Sequence, residues 1–320
     1  MRLTRNLDDR LPECQRAVVV GAFDGVHIGH QFLIRQTCAE AADAGLESTV
    51  FTFEPIPQEF LSPDTSLRIR LTVGDERVEI MRQLCVDRLI VAPFDAPFSR
   101  LTAEQFVSEI LVGRLNARIL VAAENHAFGH GAGADIEAIA GLAQQYDLRL
   151  VVVPLLRLDG TRVSSTEVRR LLREGHVEKA GGLLGRHYSM CGEVVAGKGI
   201  GRDLGFATAN LEVARNKLIP AAGVYAALAD SDVLREQLSP MSGPYPAAVS
   251  IGPQPTFGVT VPRIEAHVIA AAELELRGSS MELRFVRRLR PVQKFDTVDA
   301  LKAQMARDVE ATVNLVGDGC

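Results

Sequence analysis

The chain has 320 residues, 47% hydrophobic and 23% charged, an ordinary globular balance and enough length for about two domains. Its net charge of −5 argues against broad, sequence-independent nucleic-acid binding, which needs a basic face. No apolar stretch approaches the roughly 18 residues of a membrane span, and the charged start MRLTRNLDDRLPE lacks a signal peptide's apolar segment, so a soluble, cytoplasmic protein is expected. The five cysteines are odd in number and scattered, with no C-x-x-C pair, which indicates neither a disulfide framework nor a zinc ribbon.

Up to about residue 185 strand and helix patterns alternate. AVVVG (17–21) reads as a buried strand, 31–46 as a helix with Gly45 near its end, and STVFTF (48–53) as a second strand closed by Pro55 and Pro57. A helix over 75–84, a strand over 87–94 and an amphipathic helix over 103–115 opened by Thr102 follow. A strand over 118–124, a helix near 135–146 and a strand over 148–156 complete the series, and 164–186 reads as two short helices. This alternation predicts an α/β, Rossmann-like domain with a mostly parallel sheet covered on both faces. Beyond residue 185 come short, turn-separated strands such as CGEVVAG, GVYAALAD, AAVSIG, RIEAHVIA and MELRFVRRL, the texture of a small β barrel, and then one closing helix over 297–316. The predicted domains are 1–185 and 186–320.

Two of the seven histidines fall in GAFDGVHIGH, directly after the first strand. Ligands of open parallel sheets bind outside the strands' carboxyl ends, where loops enter helices. Gly21, Gly25 and Gly29 let backbone approach a ligand, a helix start near His30 offers N–H groups, and His27 and His30 can donate to phosphate oxygens. The Walker pattern G-x-x-x-x-G-K-[ST] is absent. RVSSTEVRR (162–170) follows the last parallel strand, with Ser164, Ser165 and Thr166 at a helix start and Arg162 and Arg169 on either side. Taken singly, the histidines read as solvated surface groups and the second segment as a capped basic helix. His126 and His130, four apart, could ligate a metal if they lay on a helix, though no third ligand is in view.

Together, H-x-G-H after the first strand and SSTxxR after the last resemble the signature of the nucleotidylyltransferases. The longer segments GAFDGVHIGHQFLI, FTFEP and RVSSTEVRRLL are similar to those of the bacterial bifunctional riboflavin kinase/FMN adenylyltransferases (FAD synthetases), and so is 70–107. The resemblance implies a catalytic ATP site in which His27 and His30 hold phosphates. Gly21, Phe23, Asp24, Gly29, Asn125, Arg162, Ser164, Ser165, Thr166 and Arg169 would complete it. The chain departs from the family pattern at Ala123, at His126–Ala127 where a pair such as Phe-Arg is usual, and in FTFEPIPQEF, which lacks a histidine after its second proline. These departures concern FMN more than ATP.

In the barrel half, GKGIGRDLGFATAN (197–210) has Gly197, Gly199 and Gly201 in a loop able to wrap phosphates, or to form an ordinary glycine-rich turn. LGFATANL resembles the LGFPTANL signature of riboflavin kinases. That resemblance implies that Thr208 and Asn210 hold Mg²⁺–ATP, with Thr208 the metal ligand, and that Glu265 is the catalytic base beside the 5′-hydroxyl of riboflavin. Without it, Glu265 reads as an outward polar residue on a strand whose Ile264 points inward. Ala207, Ser250, Gln254 and LELRGSSMEL depart from the family here.

The expected function is phosphorylation of riboflavin to FMN and adenylylation of FMN to FAD, with Mg²⁺ and one ATP at each step. Riboflavin, FMN, FAD and ATP are the expected ligands, without nucleic acid or membrane, and the oligomeric state is not readable. The alternatives are an adenylyltransferase with a kinase-silent barrel and a non-enzymatic flavin-binding regulator.

Overall fold

A computed structural model of the chain describes residues 1–5, 11–61, 69–197, 205–238, 243–252, 262–270 and 274–316. By internal contacts the chain forms two compact units, Met1–Ser165 and Thr166–Cys320.

The first unit is built on six parallel strands in the order β1-β4-β3-β2-β5-β6. They are β1 (Arg2–Thr4), β2 (Arg16–Val20), β3 (Glu47–Glu54), β4 (Arg88–Pro93), β5 (Ala117–Ala123) and β6 (Arg149–Val153). From β2 the chain builds outward through β3 and β4, then returns to place β5 on the other side of β2. The topological switch point therefore lies between β2 and β5, whose carboxyl ends open onto GAFDGVHIGH and AENHAFG. One sheet face packs against a cluster that includes Phe51, Phe106, Leu111 and Leu120, the other against one that includes Val19, Ile34, Val50 and Met81. All five residues of β2 are buried, and the four after Arg16 are apolar, as a strand in a sheet covered on both faces requires. At the amino ends of the strands, the Glu47 carboxylate receives Arg16 Nε at 2.8 Å and Arg88 Nε at 2.9 Å, tying β2, β3 and β4 together.

Helix α1 (Ile28–Ala44) starts three residues earlier than its apolar periodicity suggests, because His27 caps it, and it ends at Gly45 in the left-handed conformation (φ 67°). Thr102 opens the next long helix as expected, through a capping box with Gln105. Three residues on, the helix widens into π turns over Phe106–Arg114, which periodicity does not signal. The short strand β1 and the hairpin β7–β8 (Arg157–Leu158, Thr161–Arg162) also escape the reading, being too short to show a period.

The cysteine expectation needs a correction: Cys38 and Cys85 form a disulfide with Cα atoms 6.2 Å apart. They are 47 residues apart in sequence, and only the packing of α1 beside the segment that precedes β4 brings them together.

In the second unit, six antiparallel strands close a barrel in the order β10-β13-β12-β11-β14-β9. These are β9 (Tyr188–Val195), β10 (Ala209–Val213), β11 (Gly223–Asp230), β12 (Tyr245–Gly252), β13 (Arg263–Val268) and β14 (Ser280–Arg290). Closure leaves no edge strand, and the strict buried–intermediate alternation of β12 and β13 sends one face of each inward. The helices Ser165–Glu174 and Val177–Leu184 precede the barrel; the second ends at Gly185 (φ 71°), and its Glu178 pairs with Arg287 of β14. The closing helix, Val298–Val316, is pinned by Asp308, which receives Arg290 Nη2 at 2.7 Å. Among the described residues no helix is long and apolar enough to cross a membrane.

Candidate active sites

The loop that leaves β2 is tightly wound. Phe23 (φ 48°), Gly25 (φ 82°) and Val26 (φ 40°) all have positive φ, costly for the two that carry side chains and sustained by their near-complete burial. A Cβ on Gly29 would come within 3.2 Å of the His27 ring, so glycine there gives that ring its place. His27 Nδ1 accepts a hydrogen bond from the His30 backbone N–H at 3.1 Å, and the two rings stack with centroids 3.5 Å apart. The H-x-G-H spacing is therefore an N-cap spacing. With Nδ1 accepting, the neutral His27 ring carries its proton on Nε2, so that nitrogen donates.

Asp24 takes a different position from the one expected of a phosphate-site residue. Its carboxylate is buried and accepts from Leu71 N, Thr72 N and Thr72 Oγ1 at 3.0–3.1 Å, anchoring the loop to a neighbouring segment. Its backbone carbonyl accepts from Ser165 Oγ at 2.9 Å, which brings the two sequence motifs together. A cavity of about 950 Å³ opens beside them and is lined by Gly21, Phe23, His27, Gly29 and His30. Asn125, Arg162, Ser164 and Ser165 line the same cavity. Its other wall is aromatic: Phe53, Phe94, Phe98 and Phe106 meet mostly edge to face at 5.4–5.9 Å. A polar end next to an apolar, aromatic end suits a ligand with a charged group and a flat ring system. Thr166 and Arg169 follow Ser165 along its helix, beyond the limit of the first unit.

Sequence reasoning missed what holds this loop. Arg77 donates to the Ala22 carbonyl at 2.6 Å and the Phe53 carbonyl at 2.8 Å, joining the ends of β2 and β3. Arg70 grips Glu54 with two hydrogen bonds of 3.0 Å, reaches Glu59 at 2.8 Å and lies 3.8 Å from Asp24. Burial works against the Arg70 charge, but Glu54, Asp24 and Glu59 more than offset it and its pKa rises. Burial, reinforced by Arg70, pulls the Arg77 guanidinium down to about 10, still charged at neutral pH. The only signal in the sequence was the charge of RIRLTVGDER itself, which reads equally well as a solvated loop.

The metal idea for His126 and His130 is overturned. His126 sits in a turn, its N–H bonded to the Ala123 carbonyl, and His130 lies in a separate 3₁₀ turn with Nδ1 3.0 Å from the Ser99 carbonyl. Gly129 (φ 84°) breaks any helix between them, and among the described residues no three His, Cys, Asp or Glu side chains cluster as a metal site. Burial lowers the His126 pKa to about 4, so this ring lining the cavity is neutral at physiological pH.

In the barrel, register gathers the expected residues. Glu265 of β13 pairs with Asn210 of β10 on one side and with Ser250 of β12 on the other. Ile264 and Ala266 point inward, so the alternation behind the polar-strand reading of Glu265 is real, and the neighbouring strands add a polar cluster to it. Thr208 stands two residues before Asn210, ahead of the strand start at Ala209. A Cβ at Gly197 would lie 2.0 Å from Asn210 Nδ2, so a larger residue there would displace that amide. Arg263, which the sequence did not single out, donates from Nε to Asn210 Oδ1 at 2.8 Å and lies 3.0 Å from Glu265 Oε1. Gly199 and Gly201 lie outside the described residues.

A switch-point cavity behind a histidine-capped helix in one unit, and a carboxylate between two polar strands of a small closed barrel in the other, are two candidate sites of an α/β-plus-barrel enzyme. Comparison with known proteins makes this specific. Residues 10–167 match the FAD synthetase family model and residues 184–316 the riboflavin kinase model. The chain is 32% identical over 310 residues to the bifunctional riboflavin kinase/FMN adenylyltransferase of Escherichia coli strain K12, covering 96% of each chain. It is 32% identical to the enzyme of the same name from Pseudomonas fluorescens (97% and 96% covered), and also to that from Listeria monocytogenes (95% and 93%). A solved structure described as a macrolide-efflux protein from Streptococcus pneumoniae superposes with a TM-score of 0.87 at 30% identity, over 98% of each chain. The chain belongs to the bifunctional riboflavin kinase/FMN adenylyltransferase family and is an enzyme of flavin biosynthesis.

Proposed function

We propose that residues 1–185 adenylylate FMN and residues 186–320 phosphorylate riboflavin, in the cytoplasm, each on ATP with Mg²⁺. The observation that carries the first half is the Ser165 hydroxyl on the Asp24 carbonyl, which joins the GAFDGVHIGH and RVSSTEVRR motifs at one cavity. There an FMN phosphate oxygen attacks the α-phosphorus of ATP, the bond from that phosphorus to the bridging oxygen breaks, and pyrophosphate leaves. The nucleophile is already anionic, so no base is needed. The site's task is to align two anions and to stabilise charge on the leaving group. His27 Nε2–H, the His30 ring, Arg162 and the hydroxyls of Ser164 and Ser165 supply donors, with Asn125 on the same wall. Thr166 and Arg169 are assigned to ATP by the family resemblance alone, and Asp24 acts as the loop's anchor.

The ribityl hydroxyl is neutral and must lose its proton during transfer, which gives Glu265 the role of base in the second half. The hydroxyl of Thr208 and the amide oxygen of Asn210 are hard, neutral donors, the kind that hold Mg²⁺ together with substrate phosphates. When bound, the ion would neutralise phosphate charge. Gly197, with Gly199 and Gly201, completes the loop proposed to wrap those phosphates.

The test is reciprocal. Glu265→Gln should lower FMN formation from riboflavin by about 10²–10⁴-fold and leave FAD formation from supplied FMN within about twofold. His30→Ala should do the reverse. Both are read by chromatography of riboflavin, FMN and FAD, and loss of both activities in either folded variant would sink the two-site reading.

A further inference from the structure

The barrel site holds a cation that none of these roles uses. Arg263 opens β13 two residues before Glu265, so the two side chains leave the same face of the strand. Its Nε lies between Asn210 Oδ1 at 2.8 Å and Glu265 Oε1 at 3.0 Å. Among the described residues, neither Nη1 nor Nη2 donates a hydrogen bond. The guanidinium is thus held through one nitrogen, between the residue proposed to bind nucleotide and the proposed base, with no described residue engaging either terminal nitrogen. The pair is partly exposed, 28% for Arg263 and 33% for Glu265, and an ion pair with that access to water contributes little to stability, about 0–1 kcal/mol.

We propose that Arg263 is a catalytic residue of the kinase reaction that binds the γ-phosphoryl group while it passes from ATP to riboflavin. This rests on the reading of Asn210 and Glu265 given above. In the step, the 5′-oxygen forms a bond to the γ-phosphorus, and the bond from that phosphorus to the β,γ-bridging oxygen breaks. Its electron pair stays with ADP, and the hydroxyl proton passes to Glu265. Charge in such a transition state spreads over the three equatorial oxygens of the phosphoryl group. A planar guanidinium can meet two of them at once, whereas a lysine ammonium offers a point charge without the fork. Anchoring by Asn210 and Glu265 sets the plane of that fork before substrate arrives, which is the preorganisation such stabilisation needs.

The experiment compares the full chain with Arg263→Ala, Arg263→Lys and Glu265→Gln. Arg263→Ala should lower kcat for FMN formation by about 10³-fold or more, with the KM for ATP changed by less than about threefold. FAD formation from supplied FMN stays at the level of the unmodified chain and reports that the first unit is folded, and urea unfolding of the full chain followed by circular dichroism reports that the barrel is folded too. Arg263→Lys, the less disruptive variant, should recover only a small part of the loss, and added guanidinium ion should rescue Arg263→Ala. A second readout needs no turnover: ADP with aluminium fluoride and riboflavin, a mimic of the transferring phosphoryl group, should bind tighter than ADP with riboflavin alone by on the order of 100-fold. That gain should vanish in Arg263→Ala. Retention of kcat within fivefold by Arg263→Ala, or a loss confined to KM, overturns the proposal. If Glu265→Gln is inactive while Arg263→Ala is active, only the arginine's role falls. If Glu265→Gln also turns over normally, the underlying site reading falls with it.

Discussion

In the parallel-sheet unit the loop after β2 is held from outside. Its carbonyls and its one carboxylate are taken by Arg77, Thr72, Leu71 and Ser165, and two buried arginines brace the ends of β2 and β3. In the barrel, Asn210, Glu265 and Arg263 project directly from two paired strands and hold one another. The difference follows from backbone geometry. A loop at a strand's carboxyl end has no ladder of its own and must borrow hydrogen bonds, whereas a closed barrel places side chains by register alone. It also indicates where each site is vulnerable, the first through residues that brace the loop from outside the cavity lining, the second through the cluster itself.

The largest effect that would test this contrast comes from Arg70→Ala. Removing one partner of a buried ionic network leaves the carboxylates of Glu54, Glu59 and Asp24 undercompensated and should cost about 3–5 kcal/mol. Urea unfolding would measure it, and FAD formation should fall while FMN formation from riboflavin persists. A cost under about 1 kcal/mol would show that the loop holds itself.

A smaller effect is expected from pH. The free His126 imidazole titrates near 6.5 and the folded one near 4, so on acidification the unfolded chain takes up the proton first. Stability should therefore fall between pH 6.5 and about 4, and His126→Phe should remove up to about 3 kcal/mol of that loss. Equal acid sensitivity in the two proteins would mean that the ring is solvated.

The smallest effect separates the two jobs of His27. Asparagine is a good N-cap, so His27→Asn should hold stability within about 0.5 kcal/mol, whereas His27→Ala should lose about 1 kcal/mol. Both should lose adenylylation, because neither offers Nε2. An active His27→Asn would reduce His27 to a cap.

The local pattern of the chain was enough for the alternating elements of the first unit, the change to barrel texture after residue 185, and the contiguous motifs GAFDGVHIGH and LGFATAN. Such features repeat over two to four residues or sit within one loop, so neighbours along the chain carry them. What only the tertiary structure decided is which distant groups meet. Arg70 and Arg77 under the β2 loop, Arg263 between Asn210 and Glu265, and the Cys38–Cys85 link are all of this kind. Asp24 shows the same limit from the other side: its motif placed it at the phosphate site, yet its carboxylate serves the backbone of residues 47 and 48 positions away. A charged side chain looks the same in sequence whether it faces a ligand, a partner or water, and only burial and a partner of opposite character, both products of packing, assign it one of the three.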